Sequence, residues 1–408
     1  MTSELNALAE RLRWAAHAAG FRDLHITAAW QVGSVACFAL AFNPRTTLRE
    51  LKSRQDDLSR LAYAPVTITQ DPATGMVFAQ LPAPRRQRLI AGAGAPKLSG
   101  ARIAIGRLIS NRGDAIIDFA TPAHPHLLIV AATGGGKTEA IHTILYQLAR
   151  QNRPSQVSFA LIDPAGNRIH PAWDNSAHLA LPIARADLDA AIRTLEWAAE
   201  IVRRRNAGRT NPSPRLLVVV DEMASLFGAS REAAERARRA LETITQLGRL
   251  VNVHAILATQ YASRETLGSP FIRANMPARL VGRVDSAQAS ALATGREGCD
   301  AHRLLGYGDF LLIDDAGPRR LQVALSRPDA IASLRRAPSP PPPPPPPKPA
   351  EIPLQPPPIE LELVEKMRAL LAEDPTASNR KLELALFGYT GGAATTTVKR
   401  LREQLCAA

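Results

Sequence analysis

The sequence predicts an α/β protein with a mostly parallel β-sheet, and three observations support that fold class. Between residues 96 and 330, apolar runs of strand length alternate with stretches of helical length. The runs are continuously apolar, which is typical of parallel strands covered by helices on both faces. A glycine-rich segment follows the first run and leads directly into a helix. The predicted strands are 127–131, 157–162, 216–220 and 253–258, and the predicted helices are 137–150, 187–206 and 230–248.

A small α/β domain is predicted before this sheet, and a helical domain after it. In the N-terminal part, a helix is followed by two strands around Gly33, by a polar-faced helix over 46–62, and by strands at 65–70 and 76–81. Fourteen of the 33 prolines lie within residues 338–358, which predicts a semi-rigid polyproline spacer. The predicted regions are the small α/β domain at 1–95, the sheet domain at 96–330, the linker at 331–358 and the helical tail at 359–408.

The amino-acid composition indicates which kind of partner the protein binds and which cellular compartment it occupies. With 50 Lys and Arg against 37 Asp and Glu, the formal net charge is +13, which favours nucleic acid first and an anionic membrane surface second. The three cysteines have no CxxC spacing, so a disulfide framework or a zinc cluster is excluded and a reducing, cytoplasmic setting is favoured.

Residues 24–43 carry no Asp, Glu, Lys or Arg over a length that could span a bilayer. Their β-favouring residues and turn-like QVGS centre predict a buried hairpin instead, so no membrane association is expected.

The sequence AATGGGKT follows the first predicted strand and precedes a helix. It fits the phosphate-loop pattern GxxxxGK[ST], with Ala131 in place of the first glycine. Small residues let successive backbone N–H groups face phosphates, and the following helix adds its positive N-terminal end. Lys137 is then placed to reach the β- and γ-phosphates, and Thr138 to ligate Mg²⁺. Rather than a plain turn, the segment predicts a nucleotide site formed by Ala131, Ala132, Thr133, Gly134, Gly135, Gly136, Lys137 and Thr138.

Two further predicted strands end in residues suited to phosphate chemistry. LLVVVDE ends in Asp221, which is expected to hold Mg²⁺ together with Thr138, and in Glu222, which is expected to deprotonate the attacking water. Acids after a strand also cap helices, but next to a phosphate loop they predict a hydrolysing NTPase. VHAILATQ ends in Gln260, which either senses the γ-phosphate and positions water or is an ordinary surface residue.

With these motifs identified, the sequence resembles the FtsK/SpoIIIE family of DNA-translocating ATPases, within the group that contains HerA and the conjugative coupling ATPases. The resemblance covers about residues 35–325, and its motifs occur in family order. The similar segments are HPHLLIVAATGGGKT, SFALIDPAG, LEWAAEIVRRRN, LGRLVNVHAILATQ, ANMPARLV and RLLGYGDFLL. Departures from the family are Ala165, where a lysine is common, and Ala289 and Ala291, where an aspartate and an arginine usually flank the serine.

The resemblance implies a RecA-like motor domain with ATP and Mg²⁺ as cofactors. It further implies a hexameric ring around double-stranded DNA, with ATP at subunit interfaces and hydrolysis driving DNA transport or segregation. Arg249 aligns with the family arginine before the glutamine strand. It is therefore a candidate finger for a neighbour's ATP, and a helix-end arginine in solvent is the alternative. Because no multi-span membrane anchor resembles that of the division-associated members, a soluble form is expected.

The tail has the layout of a helix-turn-helix domain. Two helical stretches flank a turn at 390–392, and threonines begin the second stretch ahead of basic residues. Thr396, Lys399 and Arg400 are the predicted DNA contacts. Family members often carry a winged-helix module at this end, which is similar in placement and size. The tail has seven basic and seven acidic residues from position 359, so a helical bundle that binds a protein stays open.

Three functions are compatible with the sequence. The leading one is an ATP-driven translocase for double-stranded DNA, with residues 1–95 facing DNA or supporting the ring. The second is a protein-secretion or conjugative coupling ATPase, which would be expected to carry a membrane anchor and more than one motor module. The third is a DNA-binding regulator switched by ATP, whose weak turnover would not depend on DNA length. Protein partners could bind the proline-rich linker or the tail.

Overall fold

The computed structural model describes residues 3–334 and 358–407, with gaps at 94–95, 97, 167, 209–211, 229, 262, 264, 267–268, 389 and 392. The described residues up to 334 belong to one compact unit, and those from 358 belong to a second. The predicted linker falls almost entirely on 335–357, which lie outside the described residues. The division of the first unit near residue 95 stays a prediction.

The chain begins with a four-stranded antiparallel sheet in the order β1-β2-β4-β3. Residues 24–43 form the predicted hairpin, but only β2 is largely buried, because β1 is the edge strand and is mostly exposed or half-buried. No helix among the described residues is both long and apolar enough to cross a membrane. The predicted helix over 46–62 is instead two helices, because Arg54 leaves the helical region with φ −98° and ψ 10°. The elements are α1 (Ser3–Ala18), β1 (His25–Val32), β2 (Val35–Ala41), α2 (Leu48–Ser53), α3 (Gln55–Leu61), β3 (Thr67–Gln70) and β4 (Val77–Pro82).

The two faces of this small sheet pack differently because side chains alternate along each strand. One face buries Phe38 and Ile68 against the apolar side of α1 and against α3. The other face buries Cys37 and Phe78 together with Ile109, which belongs to the segment after the first strand of the larger sheet. The indole Nε1 of Trp30 donates a 2.7 Å hydrogen bond to the carbonyl oxygen of Ile109. The small sheet is therefore packed directly on the larger one.

The larger sheet has ten strands, flanked by helices. The elements are β5 (Arg102–Leu108), β6 (Asp114–Asp118), β7 (Leu127–Val130), α4 (Lys137–Gln151), β8 (Val157–Asp163), β9 (Ala184–Arg185), α5 (Leu188–Asn206), β10 (Arg215–Val220), α6 (Met223–Phe227), α7 (Arg231–Leu247), β11 (Val253–Thr259), α8 (Pro270–Ala274), β12 (Ala278–Val281), α9 (Ala287–Thr294), β13 (Asp309–Asp314), β14 (Gly317–Val323) and α10 (Pro328–Ala332). Short 3₁₀ turns lie at Pro171–Trp173, Gly248–Val251 and Ala301–Arg303.

Strand order in this sheet is β6-β5-β14-β13-β12-β7-β11-β10-β8-β9. The six strands from β12 to β9 are parallel, whereas β13, β14, β5 and β6 extend the sheet with antiparallel pairs. A mixed, mostly parallel sheet with helices confirms the predicted α/β class. Helices α5 and α7 cover one face and α4 the other, which explains why the central strands are buried along nearly their whole length and are mostly apolar.

Parallel strands place their carboxyl ends on one edge of the sheet, and ligands of α/β proteins bind there. Strands β7, β8, β10 and β11 all end at this edge. At the opposite edge two buried histidines join β7 to β11. His126 Nδ1 accepts from the amide of Ala255 at 2.9 Å, and His254 Nδ1 lies 2.7 Å from the carbonyl oxygen of Pro125. Burial lowers the pKa of His126 to about 3 and that of His254 to about 4, so both rings are neutral at physiological pH.

The second unit is a three-helix assembly of α11 (Pro358–Glu373), α12 (Asn379–Phe387) and α13 (Ala393–Ala407). Ser378 caps α12 by accepting from the amide of Lys381, and Gly388 ends it with φ 74°. The core is formed by Met367, Ala377, Leu382, Val398 and Leu401. Lys399 is exposed on α13, whereas the side chains of Thr396 and Arg400 lie outside the described part of the chain.

Candidate functional site

The phosphate loop connects β7 to α4 and requires its glycines. Gly134 and Gly136 have φ of 77° and 99°, in the left-handed region that side chains disfavour. A Cβ on Gly136 would lie 2.9 Å from the backbone nitrogen of Gly308. Helix α4 begins at Lys137. Its first N–H groups have no partners within the helix, so they are available at the loop.

Neighbouring strands hold the loop in place. The amide of Ala131 donates to the carbonyl of Thr259 at 3.2 Å, and that of Ala132 donates to the carbonyl of Arg283 at 2.8 Å. Ala131 replaces the first glycine of the pattern, and its Cβ packs against glycines. A Cβ at Gly135 or at Gly282 would lie 2.8 Å from the Cβ of Ala131. The methyl group of Ala131 is therefore accommodated because both neighbouring positions lack a side chain.

Lys137 and Asp221 form a buried ion pair below the loop, and the half-buried Thr138 lies beside it. The Lys137 ammonium is 2.9 Å from Asp221 Oδ1, donates to the Asp221 carbonyl, and is 3.9 Å from Glu222 Oε2. Thr138 Oγ1 lies 3.4 Å from the same Asp221 oxygen. Asp221 is fully buried, and its Oδ2 has no hydrogen-bond donor among the described residues. The nearest cation to this oxygen is the guanidinium of Arg168, whose Nε lies 3.8 Å away, beyond hydrogen-bond distance. A buried carboxylate oxygen that accepts no hydrogen bond and the hydroxyl of Thr138 are both oxygen ligands that suit Mg²⁺, so these two residues fit that ion.

Glu222 is bonded to the end of β11 and, through it, to the phosphate loop. Its Oε1 accepts from the hydroxyl of Thr259 at 3.0 Å, and its Oε2 accepts from the side-chain amide of Gln260 at 3.0 Å. The Gln260 oxygen in turn accepts from Thr133 Oγ1 at 2.8 Å. Gln260 is therefore a bridge between the carboxylate and the loop rather than an isolated surface residue.

Arg168 is a site residue that the sequence motifs did not reveal. Its Nη1 is 3.5 Å from Glu222 Oε2, and its Nε is 3.8 Å from Asp221 Oδ2. The turn after β8 brings it there, because the buried carboxylate of Asp163 accepts from the amide of Arg168 at 2.9 Å. The sequence feature that could have pointed to Arg168 was Ala165, because the family resemblance predicts a lysine at that position. Arg168 provides a positive charge three residues further along the chain.

Arg249 is not close to the loop within one chain. It is exposed in the 3₁₀ turn before β11, whereas Gln260 follows the end of that strand. Seven strand residues at ~3.3 Å each separate the two ends by about 20 Å. The structure therefore brings together the loop, Asp221, Glu222 and Gln260, and places Arg249 at the opposite edge of the sheet.

A cavity of about 600 Å³ opens from the phosphate loop, within the size range of small-molecule sites. Arg168 and Gln260 line it next to the loop. Its remaining lining comes from the connector 86–89 between the two sheets, from Tyr307 and Gly308, and from residues 322–325.

The fold and this site define a P-loop NTPase. Residues 99–210 match the sequence model of the FtsK/SpoIIIE family. The DNA translocase FtsK of Chlorobaculum tepidum is 31% identical over 337 residues, covering 73% of this chain and 40% of that protein. The DNA translocase FtsK of Tropheryma whipplei is 33% identical over 227 residues, covering 48% and 29%. Residues 99–210 of this chain are therefore similar to the FtsK/SpoIIIE family, as the motifs predicted.

A solved structure shows the same fold. The pCW3 conjugation coupling protein TcpA has a TM-score of 0.54 and 18% identity, covering 80% of this chain and 99% of that one. The chain spans less than half the length of the curated relatives named above.

Proposed function

We propose that the protein hydrolyses ATP to translocate double-stranded DNA, that it acts as a ring-shaped homo-oligomer, and that DNA transport or segregation is its process. The observation that carries the proposal is the buried contact of Lys137, Asp221 and Glu222 beneath a glycine loop. Similarity to the FtsK/SpoIIIE family and the net charge of +13 support DNA as the polymer.

Each site residue has a role that follows from its surroundings. Lys137 exchanges its contact with Asp221 for the β- and γ-phosphates. Thr138 and Asp221 hold Mg²⁺, which neutralises charge on the phosphates when bound. Glu222 accepts the proton of the attacking water, and Gln260 orients that water while bonded to both Glu222 and Thr133. Arg168 keeps a positive charge beside Glu222, with its Nη1 3.5 Å from Glu222 Oε2.

A role for Arg249 requires a neighbouring subunit. Its exposure at the edge opposite the phosphate loop supports a contact with another chain's ATP and not with its own. A guanidinium in that position would stabilise charge on the equatorial oxygens of the transferred phosphoryl group. If Arg249 acts on a neighbour's ATP, every subunit has a complete ATPase site only in a ring or another closed oligomer.

The test of the proposed function is the ATPase rate without DNA, with short duplexes and with kilobase-length duplex at equal base-pair concentration. We expect stimulation that increases with duplex length, because a translocating subunit hydrolyses ATP repeatedly before it leaves a long track. Single-stranded DNA of matched length is the control. Stimulation that is independent of length would indicate an ATP-switched regulator. An ATPase unaffected by DNA would favour a protein-secretion or coupling ATPase.

Deletion of residues 359–408 should leave DNA-stimulated ATPase largely intact, because the tail forms a compact unit of its own. We expect the truncation to change DNA loading or sequence preference, measured by competition between duplexes of different sequence. Lys399→Ala in the full chain tests the DNA-contact role of α13, with Lys366→Ala on α11 as its control. An inactive truncation would contradict this division of labour. A truncation with unchanged loading would favour a protein-binding tail.

A further inference from the structure

We propose that the cavity beside the phosphate loop contains a purine-binding subsite, in which the nucleobase stacks on the paired side chains of Arg86 and Tyr307. This subsite rests on the proposed ATP binding and adds to it the residues that recognise the base. Arg168, Gln260 and the phosphate loop line one part of this cavity. The rest of the lining includes Arg86, Leu89, Tyr307 and Leu325. Planar and apolar groups of this kind suit a heteroaromatic ring.

The Arg86–Tyr307 pair offers a flat, exposed surface. The guanidinium carbon of Arg86 lies 4.0 Å from the centroid of the Tyr307 ring, in a cation–π contact. The Tyr307 side chain is nevertheless 62% exposed. Aromatic rings and guanidinium groups are the two side-chain surfaces on which nucleobases stack. A large aromatic ring left exposed in the lining of this cavity therefore has a ligand-binding explanation.

Tyr307 is held at a defined distance from the phosphate loop. Its amide donates to the carbonyl of Gly134 at 3.1 Å, and the next amide, that of Gly308, donates to the carbonyl of Gly135 at 3.0 Å. Tyr307 also has φ 55°, a left-handed conformation that is unfavourable for a residue with a side chain. Backbone strain of this kind occurs at ligand sites where surrounding contacts maintain it. The backbone that carries the ring is thus fixed next to the phosphate loop.

Gln322 supplies the contact that maintains this conformation. Its side chain is buried, and its Nε2 donates to the carbonyl of Tyr307 at 3.0 Å. Its Oε1 accepts from the amide and the hydroxyl of Ser34, at 3.1 and 2.9 Å. Ser34 lies in the turn between β1 and β2, so the small N-terminal sheet positions the base-stacking residue. Position 308 must be a glycine, because a Cβ added there would lie 2.6 Å from Gln322 Nε2.

Another part of the cavity wall is also built by two parts of the chain. The amide of Leu325 donates to the carbonyl of Leu89 at 2.7 Å, which joins the connector to the end of β14. These two leucines line the same cavity of about 600 Å³ as Arg86 and Tyr307, beside the phosphate loop. Because phosphates at the N-terminus of α4 define one end of the ligand, the base of the same nucleotide is the group within reach of this wall.

The test compares ATP with inorganic tripolyphosphate, which has the phosphates but no base. In Tyr307→Ala, titration calorimetry with Mg²⁺ present should show ATP binding about tenfold or more weaker, because stacking is lost. Tripolyphosphate should bind as it does to the parent. Tyr307→Phe should retain ATP affinity because it keeps the ring. Tyr63→Ala is the matched control, since Tyr63 is also exposed and also left-handed, with φ 49°.

Two further variants locate the contact. Arg86→Ala should weaken ATP selectively, whereas Arg85→Ala, which removes an exposed partner of Glu4, should not. In Tyr307→Trp, ATP should change the indole fluorescence and tripolyphosphate should not.

Parent-like ATP affinity in Tyr307→Ala, or equal weakening of ATP and tripolyphosphate, would overturn the subsite while leaving the proposed function standing. A parent protein that binds tripolyphosphate but not ATP would likewise reject a base contact. A parent that binds neither would overturn the proposed function itself.

Discussion

Replacement of Lys137 by alanine is expected to abolish nucleotide binding and turnover. The ammonium group is the cation that the loop presents to the phosphates. A charge that lies farther away cannot replace a cation in direct contact with them. The same change should also destabilise the fold. Lys137 is buried against Asp221, and removal of one partner of a buried ion pair typically costs about 3–5 kcal/mol.

These two effects can be separated by experiment. Combining Lys137→Ala with Asp221→Asn should recover much of the lost Tm, because the uncompensated carboxylate is gone, but should not restore ATP binding. Calorimetric ATP titration and thermal unfolding measure the two quantities. Lys52→Ala, at an exposed lysine of α2, is the control and should change neither. Retained turnover in Lys137→Ala would show that this loop does not bind the hydrolysed nucleotide.

Glu222→Gln is expected to keep ATP affinity and to lower kcat by about 10²- to 10⁴-fold, the usual contribution of a general base. The amide oxygen can still accept from the hydroxyl of Thr259. The amide nitrogen can neither accept from Gln260, as Oε2 of Glu222 does, nor take a proton from water. Single-turnover hydrolysis measures the chemical step directly, and ATP titration measures binding.

Glu232→Gln is a suitable control for this loss, because Glu232 is an exposed acid in the first turn of α7. Near-parental turnover in Glu222→Gln would assign the general base to another group. Loss of ATP binding would instead mean that Glu222 supports the loop, through Gln260 and Thr133, more than it acts on water.

The central part of the fold and the phosphate loop could be predicted because both depend on residues that are close together in the sequence. Continuous apolar runs between helical stretches follow from burial on both faces of a sheet, and that burial is found for β7, β10 and β11. A phosphate loop is a short segment whose backbone conformation depends on residue types at fixed spacing, so GGGKT is informative on its own. The acids Asp221 and Glu222 end a parallel strand, and parallel strands end at the same edge as the loop.

By itself, the sequence thus determined the α/β class, the phosphate loop, the acid pair and the resemblance to the FtsK/SpoIIIE family. Tertiary structure alone decided that Arg168 lies beside Glu222, that the sheet continues into four antiparallel strands, and that Arg249 lies at the edge away from its own loop. It also joined Ser34 to Gln322 across 288 residues, which couples the small N-terminal sheet to Tyr307. The physical reason is that periodicity and motif spacing report the conformation of neighbouring residues. Contacts between distant segments depend instead on how whole sheets pack, and no local pattern records that.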